Sequence, residues 1–552
     1  MSDVFFIGAQ QSDRGLDASN VGGKAANLIR LDAVGLRVPP ALVLPTSVCR
    51  RYLERGALPA DLPASLAVAI RRLEDATGLI LGQARPLLLS VRSSPPSSMP
   101  GMLETVLNVG LTERALSGLI RQTGNSWLAW DTFRRFVRSF AETVLRLPAE
   151  PFDRLTARFL ANAGAEALQE LDPLSLRDLA RESADLVHEL TGTPLPHDPV
   201  VQLVAAVEAV LKSWAAPRAR EYRRLNGLDD HSGTAVLIQA MVFGNAGARS
   251  GSGVGFTRSP VTGDDELYVD FLFNAQGEDV VSGRHAVTDG ALLPETLPDV
   301  WNGLQTAKRA LEQEFLDMQD FEFTVDEGQL FFLQTRSGKR TPWAALRIAA
   351  DLVRAGIVDR STALRRLEPY DLDSVVRVTV RPGPNDVPLA HAVPASIGAV
   401  TGEVVFDAHR VQEHGAERDV VLVRSELSTD DIAGLSAAAG ILTTFGGRTS
   451  HAAVVARQLG KVCLVGCADL RVDDAARICS IGDRLFHEGD LITLDGETGL
   501  VFAGRVPIVS EHPVDALAMI RAWRREETRR PRDTAGSATN DGWGDSPGGD
   551  TR

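Results

Sequence analysis

The segment Gly446-Gly447-Arg448-Thr449-Ser450-His451-Ala452-Ala453 carries the sharpest chemical signal in the 552-residue chain. Two glycines allow a tight turn ahead of a helix, and Ser450 is a suitable N-cap. His451 then falls in the first helical turn, beside free backbone N–H groups and the positive end of the helix dipole. That field disfavours imidazolium and favours an anion. A neutral imidazole is a nucleophile, and a phosphoryl group attached to it is stabilised by the same N–H groups. A capped helix with an incidental histidine is the bland alternative, and the length of the surrounding run argues against it.

A second constellation is Gln319-Asp320-Phe321-Glu322-Phe323, followed by Leu333-Gln334-Thr335-Arg336. Period two puts Asp320 and Glu322 on one strand face. Across a turn at Asp326-Glu327-Gly328, Gln334 and Arg336 can share that face. Carboxylates and an amide oxygen are hard ligands suited to Mg²⁺ beside phosphates. A solvated strand face with a salt bridge is the competing reading.

Gly22-Gly23-Lys24 reads as the opening of a helix, and Arg92 as the end of the strand LLLSVRS (87–93), with a flexible Ser97–Met102 loop after it. Lys and Arg beside glycine-rich turns suit a polyphosphate. The G-x-x-x-x-G-K-[ST] pattern does not fit, and Gly-Gly-Lys alone is a weak signal. Arg134 and Arg135 lie in an amphipathic helix, where an exposed charged face is the ordinary expectation. Cys463 and Cys467 are expected in the core, since two thiols are too few for a metal site.

The elements that position these groups fall into blocks. Residues 1–340 mix strands and helices, with a helical insertion over about 111–230. Residues 341–390 read as a helical connector and linker, the Pro-rich stretch 381–398 marking the linker. Residues 391–506 form a second α/β unit. Residues 507–552 give one amphipathic helix to about Arg530 and a polar tail expected to be disordered. The chain is too long for one core, so several domains are expected.

The net charge of −14, from 58 basic and 72 acidic residues, excludes a global basic footprint for nucleic acid or an anionic membrane. Four cysteines make no disulfide framework. No signal peptide and no long apolar span is visible, so a cytoplasmic protein is expected.

These motifs resemble the N-terminal two-thirds of the pyruvate phosphate dikinase family. The likeness runs from about residue 20 to 506 through VRSSPPSSMPGMLETVLNVGL, MVFGNAGARSGSGVGFTRSPVTG, NAQGEDVVSG, MQDFEFTVDEGQLFFLQTRSGKRT and GILTTFGGRTSHAAVVARQLGKVCLVGC. The MVFGN and MQDxEFT runs, with Thr-Ser-His, favour the dikinases over phosphoenolpyruvate synthase. The resemblance implies an α/β and α+β multidomain chain: an ATP-grasp-like nucleotide domain with a helical insertion, and a swivelling phosphohistidine α/β domain. It implies ATP, inorganic phosphate and Mg²⁺ as ligands. Lys24 and Arg92 would hold the ATP phosphates, and Gln239-Ala240-Met241-Val242 would meet the adenine. Asp320 would lie by the nucleotide, and Glu322 with Gln334 would bind Mg²⁺. Arg135, Glu278 and Arg336 would line the γ-phosphate or inorganic phosphate region. His451 would carry the phosphoryl group, with Lys24, Arg92 and Arg336 as its catalytic partners. Thr449 matches a threonine that some members phosphorylate for regulation.

The family continues with a barrel that binds pyruvate or phosphoenolpyruvate, whereas only ~46 residues follow Val506, and such a barrel needs at least ~200. The expectation is therefore a phosphotransferase that phosphorylates His451 from ATP, reaching pyruvate through a separate barrel-bearing protein or serving another acceptor. Two alternatives differ in class. One is a non-catalytic or regulatory phosphohistidine carrier or nucleotide sensor. The other is an antibiotic phosphotransferase of the rifampin type, for which the 341–397 gap is too short to hold an acceptor domain.

Overall fold

Three larger β-sheets organise the chain in a computed structural model that describes residues 4–13, 15–99, 102–281, 289–372, 375–415, 417–427, 432–447, 451–473 and 476–529. The first sheet has the strand order Phe5–Ile7, Ala41–Leu44, Ala235–Ala240, Leu89–Ser94, Thr105–Val109. Every neighbouring pair is antiparallel. The central strands are buried throughout, which explains their continuous apolar runs rather than alternation.

The chain leaves this sheet after Thr105–Val109 and returns to it at Ala235–Ala240. Six helices fill the interval, from Glu113–Thr123 to Pro217–Leu225. Four of them start at residues whose side chains accept from the first-turn N–H groups: Thr112, Asn125, Asp172 and Asp198. The Pro199–Ser213 helix packs Leu203, Val207 and Val210 into the same core as Leu89, Val91 and Val106.

The second sheet is antiparallel, in the order Gln329–Ser337, Gln319–Asp326, Gly251–Phe256, Tyr268–Phe273. Its Gly251–Phe256 strand carries a glycine at every second position for a steric reason. A Cβ on Gly253 would lie 2.5 Å from the Phe323 ring, and one on Gly255 would lie 2.3 Å from Phe321. The missing side chains make room for two rings that pack on the Pro298–Phe315 helix through Leu304 and Leu311.

The third sheet has eight strands, from Pro388–His391 at one edge to Val393–Ser396 at the other. Its centre is parallel: Ala399–Val405, Val420–Arg424, Gly440–Thr443 and Val462–Val465. The helices Ala408–His414, Ile432–Ala437 and His451–Gln458 connect these strands, and Val411, Leu435, Ala453 and Ala456 pack together on one face. The other face packs on a three-stranded sheet over Leu470–His487 through Cys467, Leu470, Cys479 and Ile481.

The joint between the halves is a two-stranded ribbon. Arg377–Val380 pairs antiparallel with Ile508–Glu511, so the chain enters and leaves the third-sheet unit side by side. The Val514–Arg529 helix then turns back, and Leu517, Ile520 and Trp523 pack against Leu346, Leu352 and Leu367 of the connector helices. Among the described residues no single helix is long and apolar enough to cross a membrane.

Gly22, with φ 76° and ψ 163°, divides the Ala18–Ala33 helix in two, and the segment bearing Lys24 opens at the glycines, as the sequence indicates. The structure corrects three sequence readings. Arg92 lies inside its strand, which runs on to Ser94. The 381–398 stretch is not all linker, because Pro388–His391 and Val393–Ser396 are edge strands of the third sheet. Proline is tolerated at such edges, so proline count misled there. Arg134 and Arg135 are not on an exposed face: Arg134 is 8% exposed, and both point at the buried Asp131. The expected tail beyond Arg530 lies outside the described residues.

Candidate functional site

A cavity of about 370 Å³ opens between the first and second sheets. Its wall takes Arg92 from the Leu89–Ser94 strand and Gln239, Met241 and Val242 from the end of Ala235–Ala240 and the residues beyond it. Arg135 comes from the helical insertion, Glu278 from the short Gly277–Val281 helix, and Glu322 from the second sheet. Elements more than two hundred residues apart in sequence thus meet in one wall.

Lys24 joins the group through the break at Gly22. A Cβ there would sit 1.7 Å from the Ser94 carbonyl oxygen, so only glycine lets the helix lie directly on the strand end. The Ala25 N–H then donates to the Ser94 hydroxyl at 3.2 Å, and that hydroxyl donates to the Val21 carbonyl at 3.1 Å. On the far side Asn27 donates to the Thr335 carbonyl at 2.8 Å. Lys24 is clamped between the two sheets. Burial, with added repulsion from Arg92, pulls its ammonium down to about 8, against the attraction of Glu322. The field around Lys24 is therefore short of negative charge.

The hairpin pairs its polar residues directly. Asp320 stands opposite Arg336 and Glu322 opposite Gln334. Arg336 Nε donates to Asp320 at 2.8 Å. Burial pushes the Asp320 carboxyl up, opposed by Arg336. The Arg92 guanidinium lies 3.5 Å from Glu322, a loose contact across the cleft. A register shift follows Glu322, so the bulge turns the strand just beyond the site.

Arg135 is held by three carboxylates. Its Nε donates to Asp131 at 2.7 Å and its Nη2 to Asp279 at 3.0 Å, and Glu278 is a third partner. Burial would raise the Asp131 carboxyl, but Arg135 and Arg134 overcome it and hold it below the ordinary range. Gln276 donates to Asn245 at 2.9 Å, and Asn245 reaches Asp131 at 3.5 Å, extending the network under the cavity. Sequence reasoning missed Asp131, Asn245 and Gln276. The run Asp131-Thr132-Phe133-Arg134-Arg135 places a carboxylate three and four residues before two arginines, which was a usable signal.

Gln239 donates its side-chain amide to the Pro39 carbonyl at 3.1 Å, and its strand pairs with neighbours on both sides. His451 opens the His451–Gln458 helix. Its side chain, Thr449 and Ser450 lie outside the described residues. The other end of that helix does touch the second sheet. Arg457 sits 5.9 Å over the Phe256 ring, and Phe256 pairs with Asp320. Burial pulls Arg457 down to about 10, with Cys463 and Asp320 opposing, while its guanidinium donates to the Ala395 carbonyl. The helix that begins at His451 therefore ends beside the strand that bears Asp320.

Comparison with known proteins agrees with this division. Residues 18–295 match the family model described as pyruvate phosphate dikinase, AMP/ATP-binding domain, and residues 416–499 match that of the mobile domain of PEP-utilising enzymes. The chain is 41% identical over 536 residues to the pyruvate, phosphate dikinase of Rhizobium meliloti (strain 1021), covering 94% of this chain and 60% of that protein. It is 41% identical over 534 residues to the chloroplastic enzyme of Flaveria pringlei, covering 96% and 56%. Against pyruvate, phosphate dikinase 2 of Zea mays the identity is 42% over 512 residues, covering 92% and 58%. The chain thus spans somewhat more than half the length of these relatives.

Proposed function

Since the chain belongs to the pyruvate phosphate dikinase family, we propose that it is an ATP-dependent phosphotransferase whose own His451 is the first acceptor. The observation that carries this reading is the single cavity in which Arg92, Arg135, Glu278, Glu322 and the Gln239–Val242 segment converge, with Lys24 clamped beside it. We read the two sheets and the cleft between them as ATP-grasp-like. The adenine lies along Gln239, Met241 and Val242, and the phosphates run towards Lys24 and Arg92. Arg135, Glu278 and Arg336 hold the γ-phosphoryl group or inorganic phosphate, with Asp320 fixing Arg336.

Glu322 and Gln334 fit a magnesium ion. They are paired across the hairpin, present a carboxylate and an amide oxygen, and face a phosphate site. Mg²⁺ usually takes one or two protein carboxylates and completes its shell with phosphate oxygens and water. When bound, it supplies charge neutralisation on the phosphates.

The reaction needs positioning and cancelled charge more than covalent chemistry. ATP gives its β-phosphoryl to the imidazole of His451 and its γ-phosphoryl to inorganic phosphate, leaving AMP and pyrophosphate. The imidazole lone pair forms the new P–N bond, and the cations stabilise the departing phosphate oxygens. The third-sheet unit then turns about the paired Arg377–Val380 and Ile508–Glu511 strands. Its next acceptor is pyruvate, for which the relatives are named. This reading is preferred to a carrier without turnover because the cavity gathers cations and carboxylates from both sheets.

Incubation with β-labelled ATP tests it. Wild-type protein should acquire acid-labile, base-stable label without pyruvate. His451→Ala should still bind ATP and acquire none, and labelling of the variant at the wild-type level would overturn the assignment.

A further inference from the structure

A second cavity, of about 620 Å³, lies where the connector helices meet the third-sheet unit. It shares no lining residue with the nucleotide cleft. Its floor follows from one helix. Ala345, Ile348, Ala349 and Leu352 of Pro342–Arg354 recur at i, i+3, i+4 and i+7, and all four line it. They are buried, so the groups that a ligand can reach stand at the rim. Lys339 and Pro342 are exposed there, Tyr370 is half-buried, and Leu459 of the third-sheet unit is 42% exposed.

The rim is anchored around Lys339. Residues 338–341 join the Gln329–Ser337 strand to the helix. The Thr341 hydroxyl donates to the Val261 carbonyl at 2.7 Å and accepts from the Ala344 N–H at 3.1 Å. Arg340 donates to both oxygens of Asp317 at 2.7 Å, and its Nε donates to the Gly338 carbonyl at 3.0 Å. These bonds fix the chain on either side of Lys339.

The charges around the cavity do not balance. Lys339, Arg340, Arg366 and Arg457 line it, and Asp317 is the one carboxylate among its described lining residues. Asp317 is already taken by Arg340, with Arg366 3.7 Å away on the same group. The Lys339 ammonium has no hydrogen-bond or ion-pair partner among the described residues. Cations gathered in a partly desolvated recess repel one another, and an anion there removes that cost. An ammonium beside a guanidinium suits a carboxylate or a phosphate. Leu459, Pro342 and Tyr370 offer the same ligand apolar contact. The volume falls within the roughly 300–1,000 Å³ usual for small-molecule sites.

We infer that this cavity binds a small amphipathic anion, a carboxylate or phosphate on an apolar body, and that its occupant ties the third-sheet unit to the connector. The anion meets Lys339 and Arg366 on one side of the joint, and the apolar body meets Leu459 on the other. The paired Arg377–Val380 and Ile508–Glu511 strands link the two halves, so a ligand that spans the joint opposes motion at that ribbon. The binding claim does not depend on what occupies the nucleotide cleft.

Calorimetry on the full chain, with and without a non-hydrolysable ATP analogue in the nucleotide cleft, tests it. The probes are phenyl phosphate and benzoate, with benzyl alcohol as the uncharged control. At least one anion should bind about tenfold or more tightly than benzyl alcohol, whether or not the analogue is present. Preference for phenyl phosphate assigns the head as a phosphate, and preference for benzoate as a carboxylate. Lys339→Glu and, across the joint, Leu459→Asp should each weaken binding by about tenfold. Both residues are exposed, so thermal midpoints should stay at the wild-type value. Lys212→Glu, on the Pro199–Ser213 helix and outside both cavities, should leave binding unchanged. Binding of neither anion, equal binding of benzyl alcohol, loss of binding when the analogue is added, or unchanged affinity in Lys339→Glu overturns the site. Hydrogen exchange reads the tie: the amides of Arg377–Val380 should exchange several-fold more slowly with the probe bound, and binding without that protection overturns the bridging role. Failure of the ATP analogue to bind overturns only the nucleotide reading.

Discussion

Raising the pH from 7.5 to 9.5 should weaken ATP binding by roughly 20-fold through Lys24 alone. In the unliganded protein the Lys24 ammonium is pulled down to about 8 by burial and by Arg92. ATP brings negative charge to that spot and restores the ammonium to its ordinary range, so binding is linked to proton uptake. The protonated fraction falls from about 0.76 at pH 7.5 to about 0.03 at pH 9.5, and the affinity falls with it. Above pH 8 the slope approaches tenfold per unit, about 1.4 kcal/mol. Phosphate's own second ionisation, near pH 6, is complete below this window. Calorimetry in buffers of different ionisation enthalpy should show about 0.9 proton taken up per ATP at pH 9. Lys24→Arg keeps the charge and should flatten the profile. Lys24→Met should bind weakly at every pH. Without nucleotide the unfolded chain binds more protons than the native one between about pH 8 and 10.5, so stability should rise with pH across that range. Lys24→Met should accordingly stabilise the unliganded protein at pH 7 by on the order of 2 kcal/mol. A wild-type affinity that does not change with pH, or the same slope in Lys24→Arg, would refute this account of the site's electrostatics.

Three further outcomes are expected. Glu322→Ala and Gln334→Ala should each depress Mg²⁺-dependent labelling of His451 by about 100-fold, with thermal midpoints near wild type, since substitutions outside the core usually shift stability by only about 0.5 kcal/mol; parallel loss of stability and labelling would mark a structural pair instead. Asp131→Ala leaves Arg134 and Arg135 buried without their shared carboxylate, and urea unfolding should show a loss of about 3–5 kcal/mol, whereas a loss below 1 kcal/mol would mean that Glu278 and Asp279 suffice. Gly253→Val would drive a side chain into the Phe323 ring, and chemical denaturation should report at least ~3 kcal/mol of destabilisation; a neutral result would mean that the aromatic layer repacks freely.

Much of this protein is legible in its sequence because the signals are local. Period-two alternation puts Asp320 and Glu322 on one strand face, but the Glu327-Gly328 turn by itself would set them opposite Thr335 and Leu333, and only the bulge after Glu322 brings them opposite Arg336 and Gln334. The glycine pair before His451 and the apolar runs of the third sheet likewise announce a helix start among parallel strands. The motif resemblance extends that local reading to a family. Local signals do not carry side-chain burial or strand partners that are distant in sequence. Arg135 looked like one charge on a wet helix face until the fold set Asp131, Glu278 and Asp279 around it. The proline-rich 381–398 stretch looked like a linker until pairing to sheet edges made parts of it strands. The Lys24 environment also depends on the fold. A lysine in water titrates near 10.4. Only the fold, through the contact between the Gly22 break and Ser94, buries its ammonium and sets Arg92 near enough to repel it against the attraction of Glu322. Electric fields and desolvation are sums over neighbours in space, and the sequence orders residues only along the chain.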